Sequence, residues 1–181
     1  MRRILVILLA IWLLKPHTTS AQTTFQNTNI SYTFSIPSDT WKQTREPDER
    51  TQFTEFVFGN RANGILRIRK EAGEGIASLQ ELLDNLIKNK MAFLPGYLAG
   101  EQNNFIGKMS GLSFPYTFLQ SGKDMAGVVF VFGDDQKNFY TISFTALPTS
   151  PPRPQGYAVG SLQKIFMLSR IIILDLHYFV S

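Results

Sequence analysis

"MAGVVFVFGDDQKNFYTISFTA", Met125 to Ala146, holds two runs of different character joined by a polar turn. In the second run Tyr140, Ile142, Phe144 and Ala146 share one parity, while Thr141, Ser143 and Thr145 share the other. Such alternation is the mark of a half-buried strand, because successive side chains of an extended chain point to opposite faces. The first run has apolar residues on both parities, Val128 to Phe132. It therefore belongs in the middle of a sheet that is covered on both sides. The "DDQKN" turn brings the two runs together as an antiparallel hairpin. The simplest expectation is that the Tyr140–Ala146 parity receives the helices of the fold and the hydroxyl row is the solvated side of the sheet.

Outward from this hairpin the chain alternates between strand and helix periods. "GLSFPYTFLQSG" puts Leu112, Phe114, Tyr116 and Phe118 on one face, and Pro115 on the other argues for an edge position or a bulge. A less regular strand precedes it, from Tyr97 to Ile106. "IASLQELLDNLIKNKMAFLPG" has Leu79, Leu82, Leu83, Leu86, Ile87 and Met91 at helical spacing. Ser78 and Glu81 form a capping box at its start, and Pro95 and Gly96 stop it. Earlier still lies a hairpin: Thr51 to Phe58, a turn over Gly59 to Gly64, and a return strand Ile65 to Glu71. In that return strand Leu66 and Ile68 face one way and Arg67 and Arg69 the other. "NISYTFSIPSDTW" alternates as a further strand, and "KQTREPDER" reads as a charged loop. After "PTSPPRPQG", the residues Val159, Leu162, Ile165, Phe166 and Ile173 recur at helical spacing. The order βββ-α-ββββ-α predicts an α+β domain, a mostly antiparallel sheet of about six to seven strands covered by two helices.

The amino terminus sets the compartment. Arg2 and Arg3 precede an apolar run from Ile4 to Leu14 and then a polar stretch ending in Ala21, the layout of a secretory signal peptide. The run is about half of the roughly 20 residues that cross a bilayer, so no permanent membrane span is expected once the leader is removed. The expected organisation is a signal peptide over 1–21 cleaved near Ala21/Gln22, a polar lead over 22–29, one domain over 30–173 and a tail over 174–181. The expected location is periplasmic or secreted. Three of the 18 basic residues, Arg2, Arg3 and Lys15, lie in the leader, which leaves 15 against 14 acidic ones. A balance that even argues against nucleic acid as a partner. The absence of cysteine excludes disulfides, thiolate metal sites, a cysteine nucleophile and a lipoprotein anchor.

Four segments in this order resemble the PsbP-like family of α/β/α sandwich domains: "YTFSIPSDTWKQ", "GLSFPYTF", "GVVFVFGDDQKNFYTISFTA" and the closing "SLQKIFMLSRI". The likeness covers Ile30 to Ile173. It implies an exported or lumenal accessory protein, with no catalytic motif to carry over. Some members of that family assist photosystem II, and related domains bind partners elsewhere. No residue here matches the photosystem role, so only the fold and an accessory function are implied. The chain departs from the family pattern in continuing past the closing helix with "IIILDLHYFVS". A cystatin-like helix-on-sheet fold is the competing architecture.

Candidate chemistry is sparse. After the leader only His177 remains to serve a histidine-based triad or a zinc site, so no catalytic, cofactor-binding or metal residue is assigned. Glu46, Asp48 and Glu49 crowd a polar loop, and Asp134 and Asp135 sit at a hairpin tip where a weak cation contact is the alternative to a solvated turn. "GNRANG" and "EAGEG" match no phosphate-binding fingerprint and read as turns. Arg67 and Arg69, alternate on one strand, lie about 7 Å apart and can present two guanidiniums to an anionic partner. The competing reading is the solvated face of an outer strand. The function expected is an exported, non-catalytic accessory domain that binds a protein or small molecule, with Arg67 and Arg69 as the binding face. The alternative is a secreted hydrolase using carboxylates, which would gather Glu71, Glu101 or Asp124 in one cleft with one pKa shifted. A third is an envelope protein held by an uncleaved leader.

Overall fold

The computed structural model describes residues 23–25, 32–36, 40–48, 52–61, 63–72, 75–106, 110–133, 138–148 and 177–178. Its elements, in chain order, are β1 (Thr23–Phe25), β2 (Tyr32–Ile36), β3 (Trp41–Arg45), β4 (Phe53–Phe58), β5 (Ile65–Glu71), α1 (Leu79–Asn89), β6 (Leu98–Ala99), β7 (Asn103–Ile106), β8 (Ser110–Gln120), β9 (Lys123–Gly133), β10 (Phe139–Ala146) and β11 (His177–Tyr178). The main sheet runs β3-β4-β5-β10-β9-β8-β6, with β7 also paired to β8, and every pairing is antiparallel. β1, β2 and β11 make a second, smaller sheet. The architecture is α+β. One helix is present among the described residues, and the second expected helix, over 157–173, lies outside them.

β9 is central and buried along most of its length, as its two-sided apolar run requires. One face of the sheet gathers Trp41, Phe56, Leu66, Ile68, Val128, Phe130, Phe132, Tyr140, Ile142 and Phe144. Phe25 of the small sheet joins this core by setting its ring edge-on to Phe56, with centroids 5.4 Å apart. The other face takes α1. Leu82, Leu83 and Leu86, with Met91 of the following 3-10 turn, pack on Phe114, Tyr116, Val129 and Val131. Ser78 caps the helix as expected, its Oγ accepting from the Glu81 amide at 3.1 Å. Glu81 reaches back to accept from the Ala77 amide at 2.8 Å.

This placement reverses one expectation. Thr141 stands opposite Val131 and Ser143 opposite Val129, so the hydroxyl row shares its face with α1, and the Tyr140–Ala146 parity faces the small sheet. The cause is β9 itself. A strand apolar on both sides offers a helix either face, and parity in β10 cannot choose between them. α1 settles on β8 and β9, which leaves the row beside the helix rather than beneath it.

Other differences are local. Lys42 to Arg45, expected as loop, form the edge strand β3 with Trp41: only Trp41 is buried, and a charged, bulged edge resists further pairing. β1 falls in the stretch read as a polar lead, and β11 in the tail. The single strand expected from Tyr97 to Ile106 is two short ones, and Pro115 explains the break. Its carbonyl accepts from the Gly100 amide at 2.9 Å, so its nitrogen, which has no N–H, faces the same side, where β6 ends and β7 has not begun.

Candidate functional site

Cross-strand register assembles a polar strip from residues that are far apart in sequence. Glu55 on β4 stands opposite Arg67 on β5, which stands opposite Ser143 on β10. One row along, Phe53 faces Arg69 and Arg69 faces Thr141. Opposed residues project on the same face, so Arg67, Arg69 and the hydroxyl row share one surface. The sequence singled these out separately.

Glu55 is the anchor. It is 3% exposed and accepts from Arg67 Nε at 2.8 Å, from Arg61 Nη2 at 2.7 Å and from Thr44 Oγ1 at 2.8 Å. Arg61 reaches it from the β4–β5 turn. Burial pushes the Glu55 carboxyl upward, but the hydrogen bonds from Arg67, Thr44 and Arg61 and the charge of Arg67 outweigh it and hold the group below the usual carboxylate range. The arginines themselves stay open: the Arg61 and Arg67 side chains keep 61% and 49% of their exposure. Phe53 lies between two guanidiniums, Arg45 Cζ at 5.0 Å and Arg67 Cζ at 5.7 Å from its ring centroid. Arg69 Nε approaches Glu71 Oε2 only to 3.9 Å, while Thr141 Oγ1 donates to Glu71 Oε1 at 2.8 Å. At the helix side of the strip the Tyr116 phenol is buried and pushed up to about 12 by that burial, against the pull of Arg67 and with a small push from Tyr97.

The Glu55 carboxyl is not tuned for general acid work. A general acid needs a carboxyl raised toward neutrality, and Glu55 is driven the other way. Nor do the residues of the hydrolase alternative meet. Glu71 shares a row with Gly133 through Phe139, whereas Asp124 lies nine residues back along β9, roughly 30 Å at the rise of an extended strand. Glu101 and Asp124 are exposed, the former at the β6–β7 connection. Glu46 and Asp48 are exposed too, while Glu49, Asp134 and Asp135 lie outside the described residues, as does the His177 side chain. Sequence reasoning missed Glu55, Thr44 and Phe53. A trace was available: in "TQFTEFVF" a carboxylate interrupts an aromatic strand, and folding the hairpin about Gly59–Gly64 carries it to the arginine strand.

No family model matches the sequence, and no curated protein matches it. Solved structures do. The chain shares its fold with cyanobacterial PsbP. Superposition on that protein, from Synechocystis sp. PCC 6803, gives a TM-score of 0.61 over 91% of this chain and 96% of the other, at 9% identity. LpqN of Mycobacterium tuberculosis, described as involved in cell envelope biogenesis, matches with a TM-score of 0.51 over 90% and 88% of the two chains at 12% identity. A protein of Bacteroides thetaiotaomicron VPI-5482 matches with a TM-score of 0.54 over 88% of this chain, which spans 49% of it, at 15% identity. At such identities the likeness is one of fold. It bears out the PsbP-like architecture expected from the sequence. Among the described residues no helix is long and apolar enough to cross a membrane.

Proposed function

We propose that the protein is an exported, non-catalytic accessory domain that binds a partner through the arginine strip of its sheet, with Arg67 and Arg69 at the centre. One observation carries the reading: Arg67 is fixed by a buried carboxylate and an aromatic ring, yet half of it stays exposed. A guanidinium positioned before its ligand arrives loses less freedom on binding, which is how a surface charge becomes a recognition element. The low-lying Glu55 carboxyl speaks against the hydrolase alternative. Export is supported by the leader in the sequence, and cleavage between Ala21 and Gln22 leaves β1, which begins at Thr23, intact. The shared fold with PsbP and with the envelope-linked LpqN fits the same compartment and an accessory role.

The test is comparative capture. The chain is expressed with its leader, the exported product is weighed intact, and wild type and Arg67→Gln/Arg69→Gln are used as bait in the exported fraction. A product starting at Gln22, and a partner retained by the wild type but lost by a double variant with an unchanged circular dichroism spectrum, are expected. Equal retention by both baits overturns the binding face, and a product that keeps its leader supports the membrane-held alternative.

A further inference from the structure

We infer that the partner's contact element is an extended peptide carrying acidic side chains at alternate positions, gripped by Arg67 and Arg69. This rests on the binding role proposed above and names its chemistry. The two guanidiniums are unequally held but both open. Arg67 commits only its Nε, to Glu55, which leaves both of its Nη groups without a hydrogen bond among the described residues. Arg69 has only the 3.9 Å approach to Glu71, too long for a hydrogen bond. Each can therefore take a carboxylate.

Their spacing selects the ligand. As alternate residues of β5 the two arginines are separated by about 7 Å, the same repeat that separates alternate side chains of any extended chain. A peptide laid along β5 with acidic residues at i and i+2 meets both guanidiniums at once. Acidic residues at i and i+1 point to opposite sides and meet one. The strip has room for one chain: α1 covers β8 and β9, β3 forms the far edge, and the span from β4 through β5 to β10 is about 10 Å at ordinary strand spacing. Ser143, opposite Arg67, is half-buried with its hydroxyl without a partner among the described residues, and adds a donor on the same row.

Charge agrees. Lys42, Arg45, Arg61, Arg67 and Arg69 lie on this face or its adjoining turn against Glu55 and Glu71, an excess that steers an acidic segment in. A lipid surface fits less well. The exposed large apolar residues Phe93, Leu98, Ile106 and Leu119 belong to the 3-10 turn after α1 and to β6, β7 and β8, at least three strands away from the arginines of β5.

The test is titration of the full exported chain into fluorescein-labelled peptides at low salt, followed by anisotropy. The probes are Thr-Glu-Thr-Glu-Thr, an isomer with adjacent glutamates, Thr-Glu-Glu-Thr-Thr, and the lysine counterpart of the first. The alternating peptide is expected to bind at least about tenfold more tightly than the adjacent isomer, with no binding of the lysine peptide. Arg69→Gln should lose about tenfold with an unchanged melting temperature, while Lys88→Gln on the outer face of α1 changes nothing. Equal binding of both acidic isomers, no binding of either, or an Arg69→Gln variant as tight as wild type overturns the inference. So does binding to vesicles containing anionic phospholipid that depends on Arg69 when peptide binding does not. If the peptides fail while the double arginine variant still loses its partner from the exported fraction, the peptide chemistry falls and the binding face stands. If both fail, both fall.

Discussion

Glu55 and Arg67 stand directly opposite each other on adjacent antiparallel strands, and Arg67 Nε donates to Glu55 Oε2 at 2.8 Å. The carboxylate is buried and the arginine half exposed, so the pair ties a surface cation to the interior. Replacing Glu55 by Gln keeps the volume and removes the charge. With both arginines able to resolvate, the expected loss at pH 7 is about 1–3 kcal/mol. The sign with pH follows from the depressed carboxyl. The stabilisation is present above the unfolded value, about 4.3, and is lost as pH falls through the lower folded value. Urea midpoints for wild type and Glu55→Gln should differ at pH 7, and the gap should shrink as pH falls below the unfolded value. A gap that stays constant to pH 3 would assign the loss to packing instead.

Tyr116 gives the opposite test, at alkaline pH. Its phenol is pushed up to about 12 in the folded chain by burial, whereas an unfolded tyrosine titrates near 10. A raised group contributes stability that is complete below the unfolded value and is lost as pH rises toward the folded one. Between pH 9 and pH 12 the wild type should therefore lose about 2–3 kcal/mol more than Tyr116→Phe. Denaturation at each pH, with tyrosinate absorbance recorded on the native protein, checks it. Equal losses in the two proteins would place the phenol in contact with water.

Where periodicity is strong, the elements could be read directly. Ile65 to Glu71 is β5 as expected and Ser78 caps α1, but the helix ends at Asn89 and a 3-10 turn, Met91–Phe93, intervenes before the expected stop at Pro95-Gly96. What could not be read was decided by contacts rather than by pattern. β3 buries one residue of five, so nothing in "WKQTR" announces a strand. The side chosen by α1 depends on β8 and β9 together. The arginine strip was half legible: the Arg67 and Arg69 parity is in the sequence, but the bond from Thr141 to Glu71 joins residues 70 apart and exists only through the β5–β10 register.

The α1 cap isolates local from tertiary stabilisation. Ser78→Ala removes the acceptor for the Glu81 amide and should cost about 1 kcal/mol, whereas Ser78→Asp should restore most of it. Hydrogen exchange of the first-turn amides should quicken in the alanine variant, and a rate unchanged there would mean that packing alone holds the turn.

Gly127 tests how the sheet accommodates Tyr116. The two residues are opposed on β9 and β8, and a Cβ at position 127 would collide with Tyr116 Cζ. The ring is buried against the core that α1 covers, so it has no exposed side to which it can swing. Gly127→Ala should therefore cost about 1–3 kcal/mol by overpacking. The same substitution in a Tyr116→Ala background meets an empty space and should cost little or even stabilise, since alanine suits a strand better than glycine. The coupling energy from the four proteins, measured by urea unfolding, is the readout. The double variant is expected to cost about 1–3 kcal/mol less than the two single costs added together, and additive costs would mean that the backbone of β9, not the ring, resists the methyl group.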